Sequence, residues 1–329
     1  MAKSIKLNPN FTERTIDLEA LGYVAGDVLL FSIKGGYKND GKGKDTYWDV
    51  DVEYGGYSTP LTAGKWEVVL NAGLELTFVN QDPTLGENID PNKDFRLVLS
   101  PGLFSNAANT VDFNNLSAMQ AKAIKDGIKT RFAGDGNDTV YLPDGKIKGY
   151  DHKKYFWADE GNDTVFGGKR DDKIDAWDGN DIVHGGRGND IIWGETGNDT
   201  IYGDKGSDQI YGNADMDHLH GGAGADRFMY FAHYDSYAGS TTSDWIHDFS
   251  HAQGDRIDLK RVDADSTKRQ NQDFKFIGDD DFSGKAGELH YRVDGGTTYL
   301  EADRNGDAIA DFAIRVEGES AFVKADIIL

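Results

Sequence analysis

The sequence predicts an all-β protein. A parallel β-roll of nine-residue repeats with a C-terminal β-rich cap follows an N-terminal antiparallel β-sandwich-like domain. Three observations predict this: an internal nonapeptide repeat with aspartate at a fixed position, a composition rich in turn-forming residues, and period-two alternation of apolar and acidic residues near the start. The 329 residues include 41 glycines, 6 prolines and no cysteine, and the formal net charge is -22. Of the 57 acidic residues, 45 are aspartate and 12 glutamate. Aspartate favours turns and glutamate helices, so the acidity is carried by turns. This charge argues against a nucleic-acid partner, whose phosphates need a basic surface. The lack of cysteine excludes disulfides, thiolate zinc sites and cysteine nucleophiles. No apolar run reaches transmembrane length, and MAKSIKLNPNFTERT lacks the apolar segment of a secretory signal peptide. The expectation is a chain that stays in the cytoplasm or leaves by a route needing no N-terminal signal.

Charge divides the chain near residue 130. Residues 1–130 carry a net of -4 and residues 131–329 a net of -18. The domains expected are 1–130 (sandwich-like, ligand unknown), 131–229 (the roll) and 230–329 (the cap). In the first, Trp48, Val50, Val52 and Tyr54 alternate with Asp49, Asp51 and Glu53, the signature of a half-buried strand. Asp27–Ile33, Trp66–Leu70, Leu74–Val79 and Phe95–Leu99 give four more strands, separated by Gly, Asn and Pro. The segment Ser117–Ile128, with Met119, Ile124 and Ile128, predicts a short helix.

From Ala158 to Met229 the chain divides into eight consecutive nonapeptides, from ADEGNDTVF to GGAGADRFM, and a ninth, AGDGNDTVY, stands apart at 133–141. All nine place aspartate sixth: Asp138, Asp163, Asp172, Asp181, Asp190, Asp199, Asp208, Asp217 and Asp226. All nine place an apolar residue eighth, from Val140 to Phe228. Residues seven to nine form a short strand whose central side chain points inward. The first six form a turn, in which glycine accepts left-handed backbone and leaves carbonyl oxygens accessible. Two nonapeptides complete one coil, so alternate turns stack on the same edge about 4.8 Å apart.

The pattern GGxGxDxUx is an established calcium-binding signature. Stacked turns bring carbonyls and pairs of carboxylates together, which suits a hard cation taking six to eight oxygens. The expected metal set is the nine repeat aspartates with Gly161, Gly168, Gly179, Gly185, Gly186, Gly188, Gly194, Gly197, Gly203, Gly206, Gly212 and Gly221. Eight consecutive repeats give up to about six Ca²⁺ sites. The best-formed pairs are expected to be Asp190 with Asp208, Asp208 with Asp226, and Asp181 with Asp199. Arg170 and Asp215 replace the fourth-position glycine in the second and seventh repeats, which puts sites on those turns in doubt.

These repeats resemble those of the RTX (repeats-in-toxin) proteins. GGAGADRFMYF, DWIHDFSHAQGDRIDL at 244–259, FIGDDDFSGKAGELHY at 276–291 and DRNGDAIADFAI at 303–314 resemble the C-terminal region of serralysin-type metalloproteases. The tail Asp326-Ile327-Ile328-Leu329 is similar to an uncleaved type I secretion signal. The resemblance covers residues 131–329. It implies a calcium-binding β-roll, partnership with type I secretion machinery, and an extracellular or cell-surface location outside a Gram-negative bacterium. It stops short of the protease: HExxHxxGxxH is absent and the first histidine is His152, so serralysin activity and His-dependent triads in residues 1–130 are rejected.

Smaller constellations carry alternatives. Asp303, Asn305, Asp307 and Asp311, with Gly306, have the spacing of an additional calcium loop or of an Asp-rich β-turn. Ninth-position residues point outward, so Phe166, His184, Tyr202 and His220 stack on one edge, and Asp175, Trp193, Tyr211 and Met229 on the other. The aromatic ladder either stacks on sugar rings or packs beneath a neighbouring segment. His184, His218 and His220 are weighed as transition-metal ligands against scattered strand histidines. Tyr37, Tyr47, Trp48, Tyr54, Tyr57 and Trp66 suit glycan contacts or, for Trp48 and Tyr54, a core. Asp49 and Asp51 suit a glycosidase dyad less well than a solvated face. The leading reading is a secreted calcium-dependent protein that binds extracellular polysaccharide or a cell surface. The alternative is a polysaccharide lyase, epimerase or glycosidase. A pore-forming toxin lacks the long apolar helices it needs.

Overall fold

The computed structural model describes the strands of residues 1–102 by their backbone. From Thr110 on it describes all residues except 117–120, 122–123, 125–130, 148–149, 240–241 and 319–320. The chain forms two compact units: residues 1–109 with 115–130, and residues 110–114 with 131–329. The second unit therefore begins with a short segment lying ahead of the charge boundary.

Among the described residues of the first unit, every strand pairing is antiparallel. One sheet runs Lys3–Lys6, Arg96–Gly102, Val28–Lys34, and the other runs Glu13–Asp17, Glu75–Asn80, Trp66–Asn71, Leu61–Ala63. The strands expected at Asp27–Ile33, Trp66–Leu70, Leu74–Val79 and Phe95–Leu99 are present to within a few residues. The strand expected at Trp48–Tyr54, with Tyr37, Tyr47 and Tyr57, lies outside the described residues. Of the expected helix, Ala121 and Ile124 are described, and both are helical.

The second unit is the β-roll and its cap. Short strands at repeat positions seven to nine alternate between two parallel sheets. One sheet contains Thr139–Tyr141, Thr164–Phe166, Ile182–His184, Thr200–Tyr202 and His218–His220. The other contains Lys173–Asp175, Ile191–Thr196, Gln209–Ala214 and Arg227–Met229. Residues 18 apart are paired, as in Val165↔Val183 and Ile192↔Ile210, so two nonapeptides make one coil. Position eight points inward throughout: Val140, Val165, Val183 and Ile201 face Ile174, Ile192, Ile210 and Phe228, all fully buried. Two facing rows of apolar side chains are the whole width of this core, and burying each side chain contributes about 1.5–3 kcal/mol.

Past Met229 the roll continues under different sequence. Trp245–Ile246 pairs in parallel with His218–His220, and Arg256–Asp258 with Arg227–Met229. The cap then closes both sheets. Phe312–Val316, buried along its length, pairs in parallel with Trp245–Ile246 and antiparallel with Thr297–Asp303. Thr297–Asp303 forms a hairpin with Glu288–Asp294, turned by Gly295 and Gly296, both with positive φ. Ile327–Ile328 covers the edge of the other sheet beside Arg256–Asp258. Edges that would otherwise template further pairing are thus covered.

Candidate metal centre

Each repeat turn is built so that a buried carboxylate faces backbone. The nine repeat aspartates are all nearly inaccessible, at 0–1% exposure. One carboxylate oxygen caps the turn one coil earlier. The Asp163 N–H donates to Asp181 Oδ1 at 2.7 Å, Asp181 N–H to Asp199 Oδ1 at 2.8 Å, and Asp199 N–H to Asp217 Oδ1 at 2.9 Å. On the opposite edge Asp172 N–H donates to Asp190 Oδ1, Asp190 N–H to Asp208 Oδ1, and Asp208 N–H to Asp226 Oδ1, at 2.7, 2.7 and 2.9 Å. The second oxygen, Oδ2, of Asp163, Asp181, Asp190, Asp199, Asp208, Asp217 and Asp226 is buried and accepts no hydrogen bond.

Glycine meets a close contact at two turn positions, although Ala133, Ala158 and Ala176 stand at position one and Arg170 and Asp215 at position four of other repeats. At position one the backbone lies against the unpartnered oxygen: a Cβ on Gly194 or Gly212 would fall 2.2 Å from Oδ2 of Asp199 or Asp217. At position four the turns stack so closely that a Cβ on Gly206 would fall 1.5 Å from the Gly188 carbonyl oxygen, and φ there is +149°. Position two is also left-handed, yet it accepts Asp159, Trp177, Glu195, Asp204 and Asn213. Asp215 at position four adopts left-handed backbone too, at φ 78°, so the seventh turn keeps its shape.

Burial without a counter-charge makes these carboxylates poor acids. Burial pushes Asp163 and Asp190 up to about 8, Asp199 to about 9, Asp181 and Asp226 to about 7, and Asp208 to about 6. Asp217 is pushed well up by burial and then by the neighbouring charge of Asp244. At neutral pH the most strongly raised of these groups, such as Asp199, hold a proton unless a cation is bound, while Asp208, raised least, is ionised at a cost.

Asp172 differs. Its Oδ2 accepts the Gly168 N–H at 2.9 Å and its Oδ1 lies 2.8 Å from His152 Nδ1, so both oxygens are engaged. The first turn of that edge is complete without an ion. His152, the first histidine of the chain, supplies the partner, a role its spacing does not reveal.

The loop at 303–311 is likewise closed on itself. Asp303 Oδ1 accepts the Asn305 and Gly306 N–H groups and Oδ2 accepts that of Ala308, while Asp311 accepts those of Arg304 and Asn305. Its carboxylates face their own backbone, as in an Asp-rich turn.

The outward ladder forms as the spacing predicts. Tyr141, Phe166, His184, Tyr202, His220 and His247 stack with centroids 4.5–5.2 Å apart and interplanar angles of 6–16°. Rings stacked face to face cover one another and offer solvent only their edges. That arrangement does not provide the ring faces on which a sugar stacks, which removes the ladder as a glycan platform. On the other side Phe231 packs against Trp193 and Tyr211 at 5.5 and 5.2 Å, so that pair is covered. Among the described residues no three His, Asp or Glu side chains converge as a metal-binding group. Of the three histidines weighed, His218 Nδ1 lies 2.8 Å from His247 Nε2 and His184 Nδ1 3.2 Å from Asp204 Oδ2.

The consecutive nonapeptides end at Met229, but the aspartate columns continue. Asp217 N–H donates to Asp244 Oδ1 at 3.1 Å, and Asp226 N–H to Asp255 Oδ1 at 2.9 Å. The signal was available in GSTTSDWIH at 239–247, which has glycine first, aspartate sixth and isoleucine eighth. A single inserted nonapeptide, 230–238, hides it.

The family model described as Peptidase M10 serralysin C terminal matches residues 106–329. The chain belongs to this serralysin C-terminal family. Membership of the serralysin C-terminal family implies calcium binding by the repeats. Two solved structures are similar to parts of the chain. The R3 subunit of a mannuronan C5-epimerase from Azotobacter vinelandii is 24% identical over 51% of this chain and 77% of its own, with a TM-score of 0.30. The R2 subunit of that epimerase is 26% identical over 50% of this chain and 92% of its own, also with a TM-score of 0.30. No curated protein matches the sequence. Among the described residues no helix is long and apolar enough to cross a membrane.

The donor chemistry fits calcium. Hard carboxylate oxygens, buried and without hydrogen bonds, lie in turns whose close-packed glycines present carbonyl oxygens. Bound Ca²⁺ supplies the positive charge that makes ionised aspartates tolerable in these positions.

Proposed function

We propose that residues 131–258 are a calcium-dependent folding module that assembles after export through a type I secretion system. The observation that carries this is the set of seven repeat aspartates whose second carboxylate oxygen is buried and unpartnered. Ionised and without a cation, they oppose the fold by burial and by mutual repulsion along each edge. With calcium at three stacked pairs on one edge and two on the other, the same groups become the linkage between coils. Folding and metal binding are then one equilibrium.

In a calcium-poor cytoplasm the acidic region stays unfolded and can be threaded. At extracellular calcium, with affinities on the order of 10⁻⁴ to 10⁻³ M, it folds. The folded tail supports the same order of events: Asp326 is buried and Ile327–Ile328 is paired into a sheet, so a C-terminal signal is readable only before the roll forms. Far-ultraviolet circular dichroism across a calcium titration tests the reading. Cooperative gain of β signal with calcium, reversed by chelator, is expected; an unchanged spectrum in chelator overturns it.

A further inference from the structure

Three histidines gather on the outer face of one sheet where the roll passes into the cap. His218 and His220 flank the buried Leu219 on one short strand, so both rings stand on the outward face. His247 follows the neighbouring strand Trp245–Ile246 and stacks on His220 with centroids 4.5 Å apart. It also meets His218. His247 Nε2 lies 2.8 Å from His218 Nδ1, the two rings are within 10° of parallel, and their centroids are 5.0 Å apart. Two imidazole nitrogens thus face one another edge to edge.

Glu317 fixes which nitrogens carry protons. Its Oε2 lies 3.3 Å from His247 Nδ1, and a carboxylate accepts, so His247 carries its proton on Nδ1. His247 Nε2 then presents a lone pair, and His218 Nδ1–H donates to it. Carboxylate, imidazole N–H and free nitrogen in that order are what a metal-bound histidine uses: the carboxylate fixes the ring and makes the free nitrogen a better ligand. An ion of the zinc class bonds imidazole nitrogen at about 2.0–2.1 Å, which places two ligands of a tetrahedral site about 3.3 Å apart. The observed 2.8 Å would open by about 0.5 Å. The side chains of His247 and Glu317 are 19% and 43% exposed, so the pair is reached from solvent. The neighbouring cation, Arg315, is held over the Trp245 ring at 4.7 Å and donates to the Ser243 carbonyl.

We propose that His218 and His247 bind a divalent transition-metal ion of the zinc and copper class, with Glu317 as the positioning residue and water in the remaining positions. The ion takes the place of the shared proton, which moves to Nε2 of the His218 ring. Nitrogen donors select such ions, whereas the oxygen donors of the repeat turns suit calcium. Zn²⁺ is titrated calorimetrically into the calcium-saturated full chain and its H218Q, H247Q, E317Q and H233Q variants. The unaltered chain and H233Q are expected to bind one ion alike. E317Q should bind it about 10–100-fold more weakly, and H218Q and H247Q more weakly still. No zinc binding by the unaltered chain up to about 1 mM, or equal affinity in H218Q and H247Q, overturns the proposal. Circular dichroism in calcium reads the fold of each variant separately, so this site and the calcium reading can fail independently. Should the histidine variants not fold, electron paramagnetic resonance of Cu²⁺ on the unaltered chain decides. Couplings to two imidazole nitrogens support the site, and an all-oxygen spectrum overturns it.

Discussion

Replacing Asp208 by asparagine should change the sign of its effect as calcium rises. Asp208 lies between Asp190 and Asp226, so it borders two stacked pairs. Asparagine keeps an oxygen to accept the Asp190 N–H and removes the charge. Without calcium this is a relief: burial raises the Asp208 carboxyl from 3.8 to about 6, which corresponds to about 3 kcal/mol against the ionised form at neutral pH. With calcium the variant loses an anionic ligand from two sites, and each site occupied at 100 times its Kd contributes about 2.7 kcal/mol. Loss of about 5 kcal/mol outweighs a gain of about 3, leaving D208N less stable by about 2 kcal/mol. Urea melts of both proteins across free calcium, from chelator to about 10 mM, roughly 100 times a Kd of 10⁻⁴ M, should therefore give stability curves that cross. The companion variant D172N should show no such crossing, because both oxygens of Asp172 already have protein partners. Parallel curves for D208N, or equal calcium dependence for D172N and D208N, would refute the assignment of Oδ2 to the ion.

Three further outcomes follow from the same geometry. G206A should lower thermal stability by about 1–3 kcal/mol or more in calcium-saturated melts, since the new methyl meets the Gly188 carbonyl in left-handed backbone. Ile192→Ala, emptying one rung of the fully buried core, should cost about 2–5 kcal/mol in calcium-saturated melts. In chelator, lowering the pH should restore β signal: the repeat aspartates have raised values in the fold, so the folded state binds more protons and loses stability as pH rises from 3.8 up to about 6 to 9. Circular dichroism without calcium at about pH 4 and about pH 9, the two ends of that window, checks this, and calcium should remove the dependence.

Much of the roll was legible because its information is local. A nonapeptide fixes its own turn, strand and inward residue, so Asp208 and Ile210 could be placed from spacing alone. Features set by distant residues were not legible. The completion of Asp172 by His152 joins residues 20 apart across the coil, and the capping of Asp217 by Asp244 spans 27 residues over an inserted nonapeptide. The 303–311 loop had calcium-like spacing, but spacing does not say whether carboxylates turn toward a shared point or toward their own N–H groups. The ladder shows the same limit: its ring order followed from position nine, whereas the face-to-face stacking that hides the ring faces did not.

The hydrogen bonds that these carboxylates make between coils all run one way. The N–H of each buried repeat aspartate is satisfied by the coil that follows it, from Asp163 to Asp181 through to Asp217 and Asp244. A coil added on the N-terminal side of a formed stack finds its acceptor already waiting. A coil added on the C-terminal side leaves a buried donor open until its successor arrives, at a cost of about 1–3 kcal/mol. For these buried bonds, growth from the cap toward the N-terminus leaves no donor open, whereas the exposed position-five bonds, such as Asn180 N–H to Asn162 Oδ1, run the other way. Under the export proposed above, a chain that emerges C-terminal end first would bring the cap to the calcium outside before the roll.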